Sequence, residues 1–387
     1  MIFVIGIGED GLAGLTESAK AKIAAADILL GGQRHLNFVA DFSGERMNWS
    51  DGIDATLDRL ESHLKQNIVV LASGDPLYFG VAKNVIERFG LDAVQVLPVP
   101  GSVSLACAAM GWSQPDVQVV TVHGRSLHGL NLFLTPGVRL VVLCQDGDTP
   151  ARAAALLTAK GFGQSRICVL EHLGGPKENR RQGRASDWSP ARTADLCTLA
   201  IELRADENAL SYSRLAGLPD DAFDHDGQLT KRTTRAVTLS SLAPKPGEML
   251  WDFGGGAGSI SIEWMRTHPS CKAITVERDR VRAARIIGNA DHLGVPKLAV
   301  KISENLEALN TFSGSPDAIF IGGGLNLELV EAAWARLKPG GRFVANAVTD
   351  KTRDLLKTIQ SKYGGELFTM SIVNKLPITQ ILMEKKK

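Results

Sequence analysis

Around residue 250 the chain reads Leu250-Trp251-Asp252-Phe253-Gly254-Gly255-Gly256-Ala257-Gly258, an apolar run that ends in an acid and then in glycines. A strand that turns into a helix through such a loop brings backbone amides close to a ligand at the helix N-terminus. The dinucleotide fingerprint needs its third glycine three positions after the second. Here that position is Ser259, and the spacing is Gly254-x-Gly256-x-Gly258. Asp252 adds a carboxylate, which suits a cofactor presenting a cationic amino acid better than one presenting a pyrophosphate. One strand later, Ile274-Thr275-Val276-Glu277 sets an acid at a strand end, where it can accept hydrogen bonds from both ribose hydroxyls. S-adenosylmethionine meets these demands; a nicotinamide cofactor and a tight turn without any ligand are the competing readings.

Further candidates follow later strands and are expected on the same carboxyl edge. Glu304, in Ser303-Glu304-Asn305, can accept from an adenine amino group, or be solvated. Gly322, in Gly322-Gly323-Gly324, leaves room for a large acceptor, and Asn346 can bind substrate or cap a turn. The N-terminus carries Gly6-x-Gly8-x-x-Gly11, which alone resembles a dinucleotide loop. The next acid, Asp27, precedes its strand instead of ending it, so it cannot take the ribose position. Other small-residue loops also follow expected strands: Ser73-Gly74-Asp75-Pro76, Pro100-Gly101-Ser102-Val103-Ser104 and His123-Gly124-Arg125. Their convergence suggests a cofactor folded into a cleft between two lobes.

The elements that must position these loops alternate. Strands are expected at 2–7, 28–30, 68–71, 94–97, 117–122, 138–143, 167–170 and 196–203, with helices at 16–26, 56–63, 79–89, 102–110 and 151–160. This is the α/β pattern of mostly parallel sheets. A junction between lobes falls near Met110–Pro115. Residues 206–230 lack sustained periodicity and are expected to form a linker. From Lys231 a second α/β unit follows, with strands at 249–253, 272–276, 298–302, 318–321 and 341–345 and helices at 259–267, 280–293 and 327–337. A hairpin, Glu366–Ile372 and Ile378–Met383, closes it.

At 387 residues, two or three domains are expected. With 43 Lys plus Arg against 42 Asp plus Glu, no global field recruits nucleic acid or anionic lipid. The first residues read as a buried strand, not an export signal, and no apolar stretch is long enough for a bilayer span. The five cysteines are scattered without a C-x-x-C pair, so neither a disulfide framework nor a zinc site is indicated. A cytoplasmic protein without bound metal, self-associating into a homo-oligomer, is the expectation. Lys385-Lys386-Lys387 reads as a solvated tail.

Taken together, the motifs resemble the precorrin-6Y C5,15-methyltransferases (decarboxylating), fused enzymes of cobalamin biosynthesis. Val4-Ile5-Gly6-Ile7-Gly8, Gly31-Gly32-Gln33-Arg34, Ser73-Gly74-Asp75-Pro76, Pro100–Ser104, His123-Gly124-Arg125 and Glu171-His172-Leu173-Gly174-Gly175-Pro176 resemble the tetrapyrrole methylase half. Gly217-Leu218-Pro219-Asp220, Thr230-Lys231-Arg232, Arg235, the Asp252–Gly258 loop, Phe320–Gly323 and Asn346 resemble the second half. Two departures are the Thr233-Thr234 pair, where the family usually has an acid, and the run of three glycines. The resemblance implies a two-lobed tetrapyrrole methylase fold over 1–205 (lobes about 1–112 and 113–205), then a Rossmann-like class I methyltransferase domain over 231–387. It implies one S-adenosylmethionine site in each half and a reduced precorrin-6 macrocycle as substrate. Cofactor contacts are expected from Gly8, Gly74, Asp75, Pro76, Ser102, Val103 and His123 in the first half. In the second they are expected from Asp252, Gly254, Gly256, Gly258, Glu277, Glu304 and Gly322. Arg34, Arg125, Lys231, Arg232, Arg235 and Asn346 are the candidates for substrate carboxylates and polar groups. No catalytic acid or base stands out. A regulatory protein on the same scaffold would need damaged loops, and both sets are intact.

Overall fold

The computed structural model describes residues 1–189, 191–371 and 376–386; Ile372, at the end of the expected hairpin strand, and Lys387 lie outside them. Among the described residues the strands form three sheets, and the chain divides into two compact units. The first unit is Met1–Arg125 with Thr135–Ala209; the second is Ser126–Leu134 with Leu210–Lys387.

In the first unit, β1 (Ile2–Ile7), β2 (Ile28–Gly31), β3 (Glu45–Met47), β4 (Ile68–Ser73) and β5 (Val94–Leu97) form a parallel sheet ordered β3-β2-β4-β1-β5. Strands β1 and β4 are apolar on both faces because helices cover both, leaving Val4, Ile5, Val69 and Val70 without exposure. Helix Ser102–Met110 stops at Gly111 in the left-handed region (φ 66°), and the second lobe begins there. Its sheet, β6 (Val117–Thr121), β7 (Arg139–Leu143), β8 (Arg166–Glu171), β9 (Asn179–Arg184) and β10 (Cys197–Glu202), is mixed, ordered β6-β7-β10-β8-β9. Strand β9 is polar and exposed throughout, as befits an edge.

The second unit holds β11 (Met249–Phe253), β12 (Lys272–Glu277), β13 (Ala299–Ile302), β14 (Ala318–Ile321), β15 (Arg342–Ala347), β16 (Glu366–Met370) and β17 (Ile378–Glu384). The order is β13-β12-β11-β14-β15-β17-β16, with the first five parallel and the last two antiparallel. Order reverses beside β11, the switch point at which open α/β sheets bind ligands. Helix Arg280–His292 starts where Asp279 accepts from the Val281 and Arg282 amides, and helix Leu327–Arg336 where Asn326 accepts from Leu329.

Most of the stretch read as a linker, from Leu210 on, is packed into this second unit. Leu218, Ala222 and Phe223 are buried in its core beside Leu239 and Trp264. Glu263 accepts the Gly217 and Leu218 amides, and Asn289 accepts from the Asp224 amide at 2.9 Å. Residues Ser126–Leu134 join the same unit, where the Asn131 amide donates to the Asp291 carbonyl at 2.8 Å. Lys385, expected in a solvated tail, donates to the carbonyls of Trp334, Ala335 and Leu337 and so caps a helix end.

Candidate cofactor and substrate sites

In the second unit the glycine loop leaves β11 and opens helix Ser259–Thr267. Gly254 (φ 79°) and the Gly323 backbone touch so closely that a Cβ on Gly254 would lie 2.5 Å from the Gly323 amide nitrogen. No side chain fits where these two loops meet. Glu277, 5% exposed, accepts from the Gly256 amide at 2.9 Å through Oε2 and from the Asp279 amide at 3.0 Å through Oε1. The acid is therefore fixed beside the loop, and its remaining lone pairs are available to hydroxyls. Asp252 is buried; Oδ2 accepts from the Ser261 hydroxyl, while Oδ1 has no partner among the described residues. Burial, aided by the neighbouring Glu277 charge, pushes its carboxyl up to about 7. An orphaned acid atom, a side-chain-free cradle and a fixed acceptor together suit a ligand with an ammonium group and a ribose. Glu304 is exposed and paired with Arg278 at 3.5 Å, and Gly322 is exposed.

In the first unit the loops after β1, β4 and β5 pack backbone against backbone. A Cβ on Gly6 would overlap the Gly74 carbonyl oxygen, and one on Gly74 would lie 2.6 Å from Gly101 Cα. Around this contact Gly8 and Asp75 are half-buried, Pro76 and Val103 buried, and Ser102 exposed. Arg34 pairs with Glu9 and donates to the Ser73 hydroxyl at 2.9 Å. Arg125 lies over the Phe79 ring, 5.3 Å from its centre, in an exposed group with Leu77 and Tyr78. His123 is exposed beside it.

One substrate candidate is placed elsewhere by the structure. Arg235 is fully buried and donates to Glu263, Asp220 and the Thr230 and Leu218 carbonyls, with Phe223 under its guanidinium. Four of its five N–H donors are spent on Glu263 and on holding residues 218–230, and it has no exposed surface on which to meet a substrate carboxylate. Asn346 gives its amide to Thr238 Oγ1 at 3.0 Å and accepts from Gln380 at 2.9 Å. Lys231 and Arg232 stay accessible, the first 3.7 Å from Asp220 and the second donating to the Gly217 carbonyl. Sequence reasoning missed Glu263 and Asn289. The signal was there in Glu263, a charge inside the apolar helix run Ile260–Met265, because a buried charge requires a partner.

Two family models match the chain: Tetrapyrrole (Corrin/Porphyrin) Methylases over residues 1–188 and a Precorrin methyltransferase domain over residues 221–385. A precorrin-6Y C(5,15)-methyltransferase [decarboxylating] of Sinorhizobium is 45% identical over 377 residues, covering 97% of this chain and 91% of that protein. The chain belongs to this family. Among the family's shorter relatives, a cobalt-precorrin-7 C(5)-methyltransferase of Salmonella typhimurium is 34% identical over 47% of this chain and 88% of its own length. A probable cobalt-precorrin-6B C(15)-methyltransferase (decarboxylating) of Saccharolobus solfataricus is 31% identical over 44% of this chain and 85% of its own length. Each is named for one of the two positions that the name of the precorrin-6Y enzymes joins. No helix among the described residues is long and apolar enough to cross a membrane, and no cluster of metal-ligating side chains occurs among them.

Proposed function

We propose that this chain methylates reduced precorrin-6 at C5 and C15 and removes carbon dioxide from the C12 acetate, giving precorrin-8, with S-adenosylmethionine as donor at two separate sites. When bound, the donor supplies an electrophilic methyl group. The observation that carries the reading is duplication: each unit has its own side-chain-free loop cradle at the carboxyl edge of its own parallel strands. In the second unit Asp252, Gly254, Gly256, Glu277 and Gly322 would hold the donor. In the first unit Gly8, Gly74, Asp75, Pro76, Ser102 and Val103 would hold it, with His123 at the rim.

The first unit methylates C5 and the second methylates C15 and decarboxylates. The half-length relatives, each with one of these activities in its name, favour dividing the two chemistries between separate domains. Enamine-like ring carbons are already nucleophilic, so the protein's work is alignment and exclusion of water. Conjugated imine in the macrocycle accepts the electron pair released by decarboxylation, and no metal is required for either step. Arg34 and Arg125 on the first unit, and Lys231 and Arg232 on the second, meet the substrate's carboxylates. Titration calorimetry of the full chain with S-adenosylhomocysteine should give a stoichiometry near two. A value near one, with both units folded, would contradict the double site.

A further inference from the structure

Beside the first unit's loops a charged cluster ties its two lobes together. Glu9, which follows Gly8 at the end of β1, lies with Oε2 3.0 Å from His172 Nδ1, on the loop after β8. Its other oxygen accepts from Arg34. Burial alone would raise the Glu9 carboxyl, but the hydrogen bond from His172 and the pairing with Arg34 outweigh it and hold the group below its usual range. Glu9 therefore stays ionised and fixes the His172 proton on Nδ1, which leaves the Nε2 lone pair free. Nε2 has no hydrogen-bond partner among the described residues, and the side chain is 28% exposed.

The backbone marks the same residue. His172 has φ 48°, a left-handed conformation that a non-glycine residue holds only at a cost. The loop cannot relax toward Glu9, because Gly175 is already so close that a Cβ there would overlap the Glu9 side chain. The cluster's other histidine is a poor base: burial and then Arg34 push His35 down to about 4, and its Nε2 is 3.0 Å from the Ser73 hydroxyl. The charged groups around His172 are Glu9, Arg34, Glu171 on β8, which binds the Ala194 amide and pairs with Arg181, and Glu178, which binds the Gly174 amide.

We infer that His172, oriented by Glu9, is the proton acceptor of the N-terminal methylation; the inference rests on the assignment of C5 to the first unit. Once methyl has joined C5, that carbon bears both hydrogen and methyl, and the macrocycle carries one positive charge. The C5–H bond then breaks, its electron pair closes a ring double bond and cancels the charge, and the proton goes to Nε2. Glu9 offsets the imidazolium until solvent removes the proton. Positioned proton acceptors of this kind contribute roughly 100-fold or more to a rate.

The test uses the full chain carrying Gly254→Val, which closes the second site, in single turnovers with reduced precorrin-6 and carbon-13 methyl donor. Adding His172→Ala should let the labelled methyl join C5 but slow the following loss of the C5 hydrogen, seen as the methyl signal moving from saturated to unsaturated carbon, by roughly 100-fold. It should remove the fall in rate toward acid pH, and added imidazole should restore part of the rate. Glu9→Gln keeps the imidazole, so it should give a smaller loss and retain the fall in rate toward acid pH. S-adenosylhomocysteine affinity at the first site should stay parental in both variants. A parental rate of C5–H loss with a parental pH profile in His172→Ala would overturn the inference, as would a loss of activity explained by lost donor binding. If the Gly254→Val chain by itself places its methyl at a carbon other than C5, the assignment of C5 fails instead, which separates the two failures.

Discussion

The Ser261 hydroxyl donates a 2.7 Å hydrogen bond to Asp252 Oδ2 and in turn accepts one from Thr275 at 2.6 Å. The pair pins one carboxylate oxygen to the first turn of the glycine-loop helix and leaves the other, Oδ1, buried and unpaired. Such an atom suits an incoming ammonium group.

Asp252 makes the second unit sensitive to pH. Its carboxyl is raised to about 7 in the folded chain by burial, against about 3.9 in an unfolded one. A raised acid contributes stability that is complete below the unfolded value and lost as pH climbs through the folded one. Urea denaturation should therefore show the second unit losing stability between about pH 4 and 7, relative to Asp252→Asn. Binding of S-adenosylhomocysteine near pH 6.5 should also release a proton, because its ammonium group favours the ionised acid. Calorimetry in buffers of different ionisation enthalpy reads this release, and Asp252→Asn should abolish the part due to this site.

Glu277→Ala should weaken one of the two donor sites and spare the other. It removes charge-assisted hydrogen bonds worth roughly 1.5–3 kcal/mol, or about 10–150-fold in affinity. The Gly256 and Asp279 amides lose their acceptor as well. Two-site calorimetry of the full chain separates the affinities; two unchanged constants would leave Glu277 a purely local role.

Arg235 and Arg232 should behave differently although three residues apart. Arg235→Ala strands Glu263 in the core and should cost roughly 3–5 kcal/mol, seen as a lower denaturation midpoint. Arg232→Ala removes an exposed cation, so it should leave stability nearly unchanged and raise the KM for the macrocycle.

The parallel strands were legible because burial on both faces writes an unbroken apolar run, as in Ile68–Leu71. The glycine loop and Glu277 were legible because close backbone approach permits few residue types. Strand β9, Asn179-Arg180-Arg181-Gln182-Gly183-Arg184, was not, since an exposed edge strand needs no apolar face. Residues 206–230 carried no period because much of their structure is held by contacts made far along the chain, Arg235 with Leu218 and Asn289 with Asp224. For the same reason Arg235 looked like a surface cation: charge and spacing do not reveal that its partner, Glu263, lies 28 residues on.

The most direct measurement is the product of the Gly254→Val chain, given reduced precorrin-6 and carbon-13 methyl donor, by mass and carbon-13 NMR. A Cβ at residue 254 must push against the Gly323 backbone, so the second cradle cannot keep its shape, while the first unit's separate sheets are untouched. The predicted product carries one labelled methyl, at C5, and retains the C12 acetate. Two labelled methyls and release of carbon dioxide at the parental rate would contradict two separate sites with divided chemistry.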